Sequence, residues 1–437
     1  MSYERNRSSE KHKKSGGDVV FYQHSRKSPN PPTPSRPSGS RKLSKKRKLL
    51  NTLAVAVGVL LILGGTACLV AYTYFHRINY QEIDVDESQT SHTSGADTSG
   101  SEDVQTYSGQ LLNDPMVLNV LLFGEDTRSG METGNSDTMV LLSVDTRHQK
   151  IKMLSFMRDT YVEIPGHGEN RINAAYTLGG AALTVSTIQK NYGIKIDRYA
   201  VVDFSSFRKI IDVIGGLDVE LTAEEVDYIN WQYWINRQTE YKEAEGEYKE
   251  YIRSQLKYNW FYLPEEEKPI NKNTLTFKNN GEDEPTAIVH LNGSQTLWHA
   301  RNRGEDGICS GDDFTRTKRQ REVISLILNS LKKSDVGTLL SIIYEIGPLI
   351  TTNVKTSEIT DLAGELPTYL KYPIISEAAP AVNTIGSTFY FSDYAHPVYI
   401  NGVFSSVILI ADWNDFRQQV AEFIYEEQVR RSSSSSE

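Results

Sequence analysis

Five charged residues stand at the ends of three short apolar runs. Asp126, Arg128, Asp137, Arg158 and Asp159 flank Val117–Phe123, Thr138–Val144 and Lys150–Phe156. Each run has strand length and is rich in Val, Leu, Ile and Phe. Paired as an up-down-up meander, the runs bring all five residues to one sheet edge. Few carboxylates suit a hard cation such as Mg2+, and arginine forks suit phosphate oxygens. The group therefore fits a magnesium-bound diphosphate. Ordinary loop charge is the alternative reading of the same residues.

A second charged stretch covers residues 291–331. Gly293 to Arg303 reads as a helix that delivers Arg301 and Arg303 near its end. A loop with three glycines follows, and a second helix starts near Asp313 or Phe314. Arg316, Arg319 and Gln320 share one face by helical spacing. Val323, Ile324, Ile327, Leu328 and Leu331 form its apolar stripe. Surface pairing with Asp306, Asp312 and Asp313 would also explain these arginines, at little energetic gain.

The elements between the two stretches alternate. Pro165 to Gly168 is a turn. Asn173 is placed to cap a helix from about Ala174 to Asn191, ended by Gly193. Residues 197–204 read as a strand, 205–216 as a capped helix and 217–221 as a strand. Such alternation predicts a layered α/β domain. Residues 222–285 break the rhythm with aromatic and charged residues and read as a largely helical surface insertion. Its Tyr and Trp side chains suit sugar contact, but a satellite packing cluster is the preferred account.

Charge divides the 437-residue chain. Residues 1–48 hold 14 Lys/Arg against 3 Asp/Glu, which leaves 33 basic and 53 acidic residues elsewhere, a net of −20. The first 48 residues, interrupted by prolines, read as a disordered basic tail. Leu49 to Phe75 is 27 residues without Asp, Glu, Lys or Arg. That is long enough to span the roughly 30 Å hydrocarbon layer. The preceding RKLSKKRK predicts a cytoplasmic N-terminus and an external remainder. Residues 76–115 read as a flexible stalk that holds the domain clear of the bilayer. With Cys68 in the span, Cys309 stands alone outside, so no internal disulfide is expected there. Residues 116–332 form the main domain. Residues 333–427 are its C-terminal α/β part or a small accessory region, and 428–437 a disordered end. An acidic external domain makes direct DNA binding a poor reading.

The charged stretches and their spacing resemble the LytR–CpsA–Psr family. The matching blocks are LLFGEDTR (121–128), NSDTMVLLSV (135–144), SFMRDTYVEIPG (155–166), RINAAYTLGG (171–180), DRYAVVDFSSFRKIIDVIGGLDVEL (197–221), LNGSQTLWHARNR (291–303) and DDFTRTKRQREVI (312–324). The resemblance implies a membrane-anchored α/β/α sandwich with an apolar tunnel for a polyprenyl tail. Helices 174–191 and 314–332 become candidate tunnel walls. It implies Asp126 and Asp137 as Mg2+ ligands, and Arg158, Arg301, Arg303 and Arg316 as the phosphate grip. Arg128, Asp159, Arg171, Arg319 and Gln320 fall in the same motifs. The sequence departs from the family at Glu125, an added acid; at Met157, where proline is usual; and in the long 222–285 insertion.

The implied activity is ligation. An anionic glycopolymer, such as a teichoic acid or capsule, moves from an undecaprenyl-diphosphate carrier to peptidoglycan, leaving a phosphodiester link. A polyprenyl-diphosphate pyrophosphatase side activity goes with it. The competing class is a membrane-tethered receptor for lipid-linked glycan or wall. It needs the arginines but not both metal carboxylates.

Overall fold

In this computed structural model the described residues are 78–82, 106–126, 135–243, 245–246, 269–279, 281, 284–380 and 393–426. The expected tail 1–48, membrane span 49–75 and end 428–437 lie outside them. Among the described residues no helix is long and apolar enough to cross a membrane.

The strands are β1 (Asn79–Tyr80), β2 (Val117–Asp126), β3 (Asn135–Asp145), β4 (Lys150–Phe156), β5 (Tyr161–Ile164), β6 (Gly168–Arg171), β7 (Arg198–Asp203), β8 (Leu217–Thr222), β9 (Thr286–Leu291), β10 (Thr351–Thr352), β11 (Ile374–Ala379), β12 (Asp393–Ile400) and β13 (Val403–Leu409). The helices are α1 (Ala174–Tyr192), α2 (Phe204–Val213), α3 (Ala223–Glu243), α4 (Gly293–Arg301), α5 (Asp313–Leu331), α6 (Val336–Ile346), α7 (Thr356–Tyr369) and α8 (Trp413–Tyr425).

The meander forms as the sequence predicts. β2 and β3 pair antiparallel, and so do β3 and β4. They are the centre of a seven-stranded sheet of order β1-β10-β7-β2-β3-β4-β11. Period-two alternation gives each strand two apolar faces, because helices cover both sides. Leu121, Phe123, Leu154 and Phe156 pack on one side with α1 and α8. Ile151 and the half-buried Leu118 and Leu142 pack on the other, against Leu328 of α5. The architecture is thus helix, sheet, helix. A separate ladder, β8 with β9, closes the ends of the 222–285 segment.

Several expectations change. β1 pairs with β10, and Tyr107 and Leu112 bond to Lys190 and Gly193, so both ends of the expected stalk are docked on the domain. Strand 217–221 joins the side ladder, not the main sheet. β11 and α8, from beyond residue 332, belong to the same sheet and core as the meander. Asn173 does not cap α1: it is itself helical and its side chain makes no cap bond. The helix is also broken at Gly179 and Gly180. Gly193 does end it, at φ +73, as the left-handed residue glycine tolerates. Towards its end α1 is packed core, with Val185 and Ile188 buried and Tyr192 meeting Phe156, Trp413 and Phe416 edge-on or tilted, whereas Leu178 is exposed and Ala182 half-buried. In the insertion, α3 buries Val226, Tyr228, Ile229 and Tyr233, the packing account of its aromatics.

Candidate functional site

The C-terminal ends of β2 and β4 and the start of β3 meet at one sheet edge. Asp126 opposes Asn135 in the β2–β3 register, and Asp137 sits two residues further along. Arg158 follows β4 directly. Its guanidinium reaches Asp137 Oδ1 at 3.2 Å, Asp159 Oδ2 at 3.3 Å and Asp313 Oδ1 at 3.3 Å.

Two helices bring the remaining arginines. Asp312 caps α5 by accepting from the Thr315 backbone N–H at 2.8 Å. That start points Arg316 inward, 2.7 Å from Asp313 Oδ1 and 3.6 Å from Asp137 Oδ2. α4 has a capping box between Asn292 and Gln295. Its first residue, Gly293, lies against α2 so closely that a Cβ would stand 2.2 Å from the Arg208 carbonyl oxygen. Only glycine permits that approach, and the approach sets where α4 ends. At that end Arg301 lies 3.7 Å from Asp126 Oδ2 and 4.3 Å above the Phe204 ring. Arg171, at the end of β6, reaches Asp159 Oδ1 at 3.4 Å.

The structure therefore joins Asp126, Asp137, Arg158, Asp159, Arg171, Arg301 and Arg316 in one network. Arg303 is exposed just beyond α4, close enough to act electrostatically on Asp313 and Arg316. Gln320 is half-buried on α5. Arg128 lies outside the described residues. Arg319 turns elsewhere: it donates to Glu225 at 2.7 Å and to the Asn302 carbonyl at 3.0 Å, both away from the arginine–carboxylate network. Helical spacing puts it with Arg316, but Arg319 bonds Glu225 and the Asn302 carbonyl where Arg316 faces Asp313 and Asp137. The sequence alone suggests Asp313 only as a surface partner. It is a central member of the network, and its signal was the Asp-Asp pair opening a helix with Arg three residues on.

Burial and charge compete in this group. Burial disfavours the charge on Arg158, but Asp313, Asp159 and Asp137 outweigh it and raise its affinity for the proton. Arg316 goes the other way through burial, aided by Arg158 and Arg303. Both stay charged near neutral pH. Burial also raises Asp313, against the pull of Arg316 and Arg158. Its Oδ1 and the Arg316 and Arg171 Nε atoms are buried without an aligned hydrogen bond. Ion contacts without hydrogen-bond alignment leave donors for a further anion.

The donors fit magnesium on a diphosphate. Asp126 and Asp137 offer only oxygen ligands, as a hard cation needs. Among the described residues, a three-ligand cluster lies at the far sheet end: Asp145, His148 and Glu426 have ligand atoms within 4.8 Å of one another. There the buried Lys152 ammonium already lies 2.7 Å from Asp145 and 3.0 Å from Glu426. A fixed cation in that place disfavours a second one. A cavity of about 470 Å³ adjoins α5. Glu224, Glu225, Glu284 and Asp312 line it, a poor seat for phosphate despite Arg319. Met157, in place of the family's proline, is buried against Phe314, Ala378 and Ile408 and leaves the Arg158 position intact.

Comparison with known proteins supports one family. The LytR_cpsA_psr family model matches residues 80–397. The polyisoprenyl-teichoic acid–peptidoglycan teichoic acid transferase TagU of Bacillus cereus is 26% identical over 313 residues, covering 71% of this chain and 80% of that protein. Regulatory protein MsrR of Staphylococcus aureus is 31% identical over 234 residues, 54% of each chain. The crystal structure of B. subtilis TagT aligns with a TM-score of 0.45 at 19% identity, covering 74% of this chain and 98% of that one.

Proposed function

The chain belongs to the LytR–CpsA–Psr family, and we propose that it transfers an anionic glycopolymer from an undecaprenyl-diphosphate carrier to peptidoglycan through a phosphodiester link. The observation that carries this reading is the convergence of Arg158, from the end of β4, with Arg301 and Arg316, from two consecutive helices more than 140 residues later, on Asp126, Asp137 and Asp313. The four aspartates already offset these arginines, so a diphosphate would enter together with a cation on Asp126 and Asp137 that frees the arginine forks for its oxygens. TagU of Bacillus cereus carries a name that describes this class of transfer.

Asp126 and Asp137 would hold magnesium, which would supply positive charge to offset that of the diphosphate. Arg158 and Arg316 would release part of their carboxylate contacts and bind the polymer-side phosphate oxygens by forked hydrogen bonds. Arg301, braced on Phe204, would hold the carrier-side phosphate, with Arg303 at the mouth. A peptidoglycan hydroxyl attacks the polymer-side phosphorus and gives up its proton to a carboxylate of the site; the phosphoanhydride bond to the carrier breaks and undecaprenyl phosphate leaves. Positioning and electrostatics do most of the work. Asp159 and Asp313 fix the arginines, and Arg171 holds Asp159. The half-buried Leu326, Ile327 and Leu328 of α5 would border the polyprenyl tail. Residues 49–75 anchor the chain in the cell membrane, so enzyme and lipid donor share one surface.

The test is incubation of the chain with a synthetic polyprenyl-diphosphate sugar, Mg2+ and peptidoglycan fragments, with mass analysis of products. A phosphodiester-linked product is expected. Tight donor binding with no linked product from any wall acceptor would instead favour a receptor.

A further inference from the structure

The segment expected to hold the domain clear of the bilayer is paired into the main sheet at its start. The uncharged run ends at Phe75, and Asn79 and Tyr80 are already paired with Thr351 and Thr352. Four peptide steps reach at most about 14 Å. Register gives the direction of entry. β1 runs parallel to β10, and β10 antiparallel to β7, with Thr351 opposite Val201 and Thr352 opposite Ala200. The chain thus arrives from the side of Val202 and Asp203. These are level with Gly124 and Glu125, one residue short of Asp126. The chain therefore enters β1 from the end of the sheet that carries the arginine–carboxylate network.

A hairpin rises beside the same network. Ile408 N–H donates to the Asp159 carbonyl at 2.8 Å, and Ile408 bridges Thr160. β12 and β13 join through Asn401 and Gly402, both left-handed at φ 50 and 78, as a two-residue hairpin turn requires. Around the turn Tyr399, Val403 and Phe404 are 74%, 66% and 64% exposed. Tyr399 and Phe404 oppose each other across the strands with ring centroids 6.0 Å apart. Residues 394–411 contain no Asp, Glu, Lys or Arg in a chain that is 24% charged. Natural sheets protect exposed edges with charge, and beyond Asp393 at its base this one carries none.

We infer that the hairpin tip is a membrane contact: Tyr399, Val403 and Phe404 enter the headgroup–acyl boundary of the bilayer that anchors the chain. This rests on residues 49–75 spanning that bilayer. Aromatic and apolar side chains at an uncharged tip have no charge to desolvate there, and tyrosine favours the interface. The short tether makes the second contact intramolecular, so a tip too small to bind vesicles alone suffices. Two contacts, tether and tip, hold the network over the surface that carries a lipid-linked diphosphate.

The test uses the full chain in vesicles of phosphatidylglycerol and phosphatidylethanolamine, with or without bromine on the acyl chains. Phe404→Trp and Tyr399→Trp each add one indole, read after subtraction of the parent emission. Bromination is expected to quench at least half of the added emission in both variants. Cosedimentation with the vesicles checks the anchor separately, and the emission needs no turnover, so failure of the transfer reading leaves the result intact. Added emission that bromolipid leaves untouched in cosedimenting chain overturns the inference. A shift with soluble peptidoglycan fragments in place of bromolipid quenching also overturns it, and makes the tip a glycan contact.

Discussion

Asp313 Oδ1 lies between two arginines, 2.7 Å from Arg316 and 3.3 Å from Arg158. One carboxylate therefore ties the first residue of α5 to the end of the meander. Asp313→Asn keeps the shape and removes the shared counterion. The two guanidiniums then repel with less compensation, so the variant should melt lower than the parent. An added anion replaces the lost charge. Inorganic pyrophosphate with Mg2+ should therefore raise the midpoint of Asp313→Asn by more degrees than that of the parent. Equal shifts in thermal unfolding would show that Asp313 does not neutralise the ligand's seat.

The metal reading predicts a characteristic non-additivity. Asp126 and Asp137 approach from opposite strands of one hairpin, and each meets an arginine. Asp126→Ala and Asp137→Ala should each abolish Mg2+-dependent turnover while the far-ultraviolet circular dichroism stays unchanged. Residues acting as one unit fail together, so the double variant should be little worse than either single one. Full activity in one single variant removes the two-carboxylate site.

The meander was legible because each strand announces itself locally, with apolar runs bounded by turn residues. The charged edge followed from that pattern alone. β11 was not legible: its parallel pairing with β4 joins residues more than 200 positions apart, which no local periodicity encodes. The direction of Arg319 was also hidden. Its partner Glu225 lies on α3, inside a segment that reads as insertion. The docked start of the stalk was missed for a related reason. A two-residue strand held by Thr351 and Thr352 has no pattern of its own.

His299 gives a pH dependence. It is 1% exposed, both ring nitrogens lack hydrogen-bond partners, and burial pushes its pKa down to about 4. The unfolded chain takes up this proton near pH 6.5, before the folded chain does. Stability from a neutral buried His299 is thus full above about pH 6.5 and falls as the pH drops toward 4, by roughly 3 kcal/mol in all. His299→Leu, with no proton to bind, should remove that fall and leave the opposite slope of Glu322, 4.0 Å away, whose carboxyl burial pushes up to about 7. Thermal unfolding of parent and variant in mild detergent between pH 4.5 and 7.5 reads this directly. Parallel curves would exclude His299 as the cause.

The arginines separate chemistry from scaffolding. Arg158 contacts three carboxylates at the sheet edge, whereas Arg319 bonds Glu225 and a backbone carbonyl beneath the loop after α4. Lysine keeps the charge but replaces a planar fork with a point. Arg158→Lys and Arg303→Lys should fold normally and lose at least about tenfold in turnover, roughly 1.4 kcal/mol of transition-state stabilisation. Their binding of the lipid-linked donor should fall less than turnover, since phosphate charge redistributes during transfer. Arg319→Lys should show the opposite profile. It breaks a buried two-point contact, so the melting temperature should drop while turnover of the folded fraction stays near that of the parent. Calorimetric binding, turnover and unfolding measured on the three variants distinguish the cases. Equal losses of binding and turnover in Arg158→Lys would mean that Arg158 only holds the ligand. A turnover defect in Arg319→Lys at unchanged stability would move Arg319 back among the phosphate ligands.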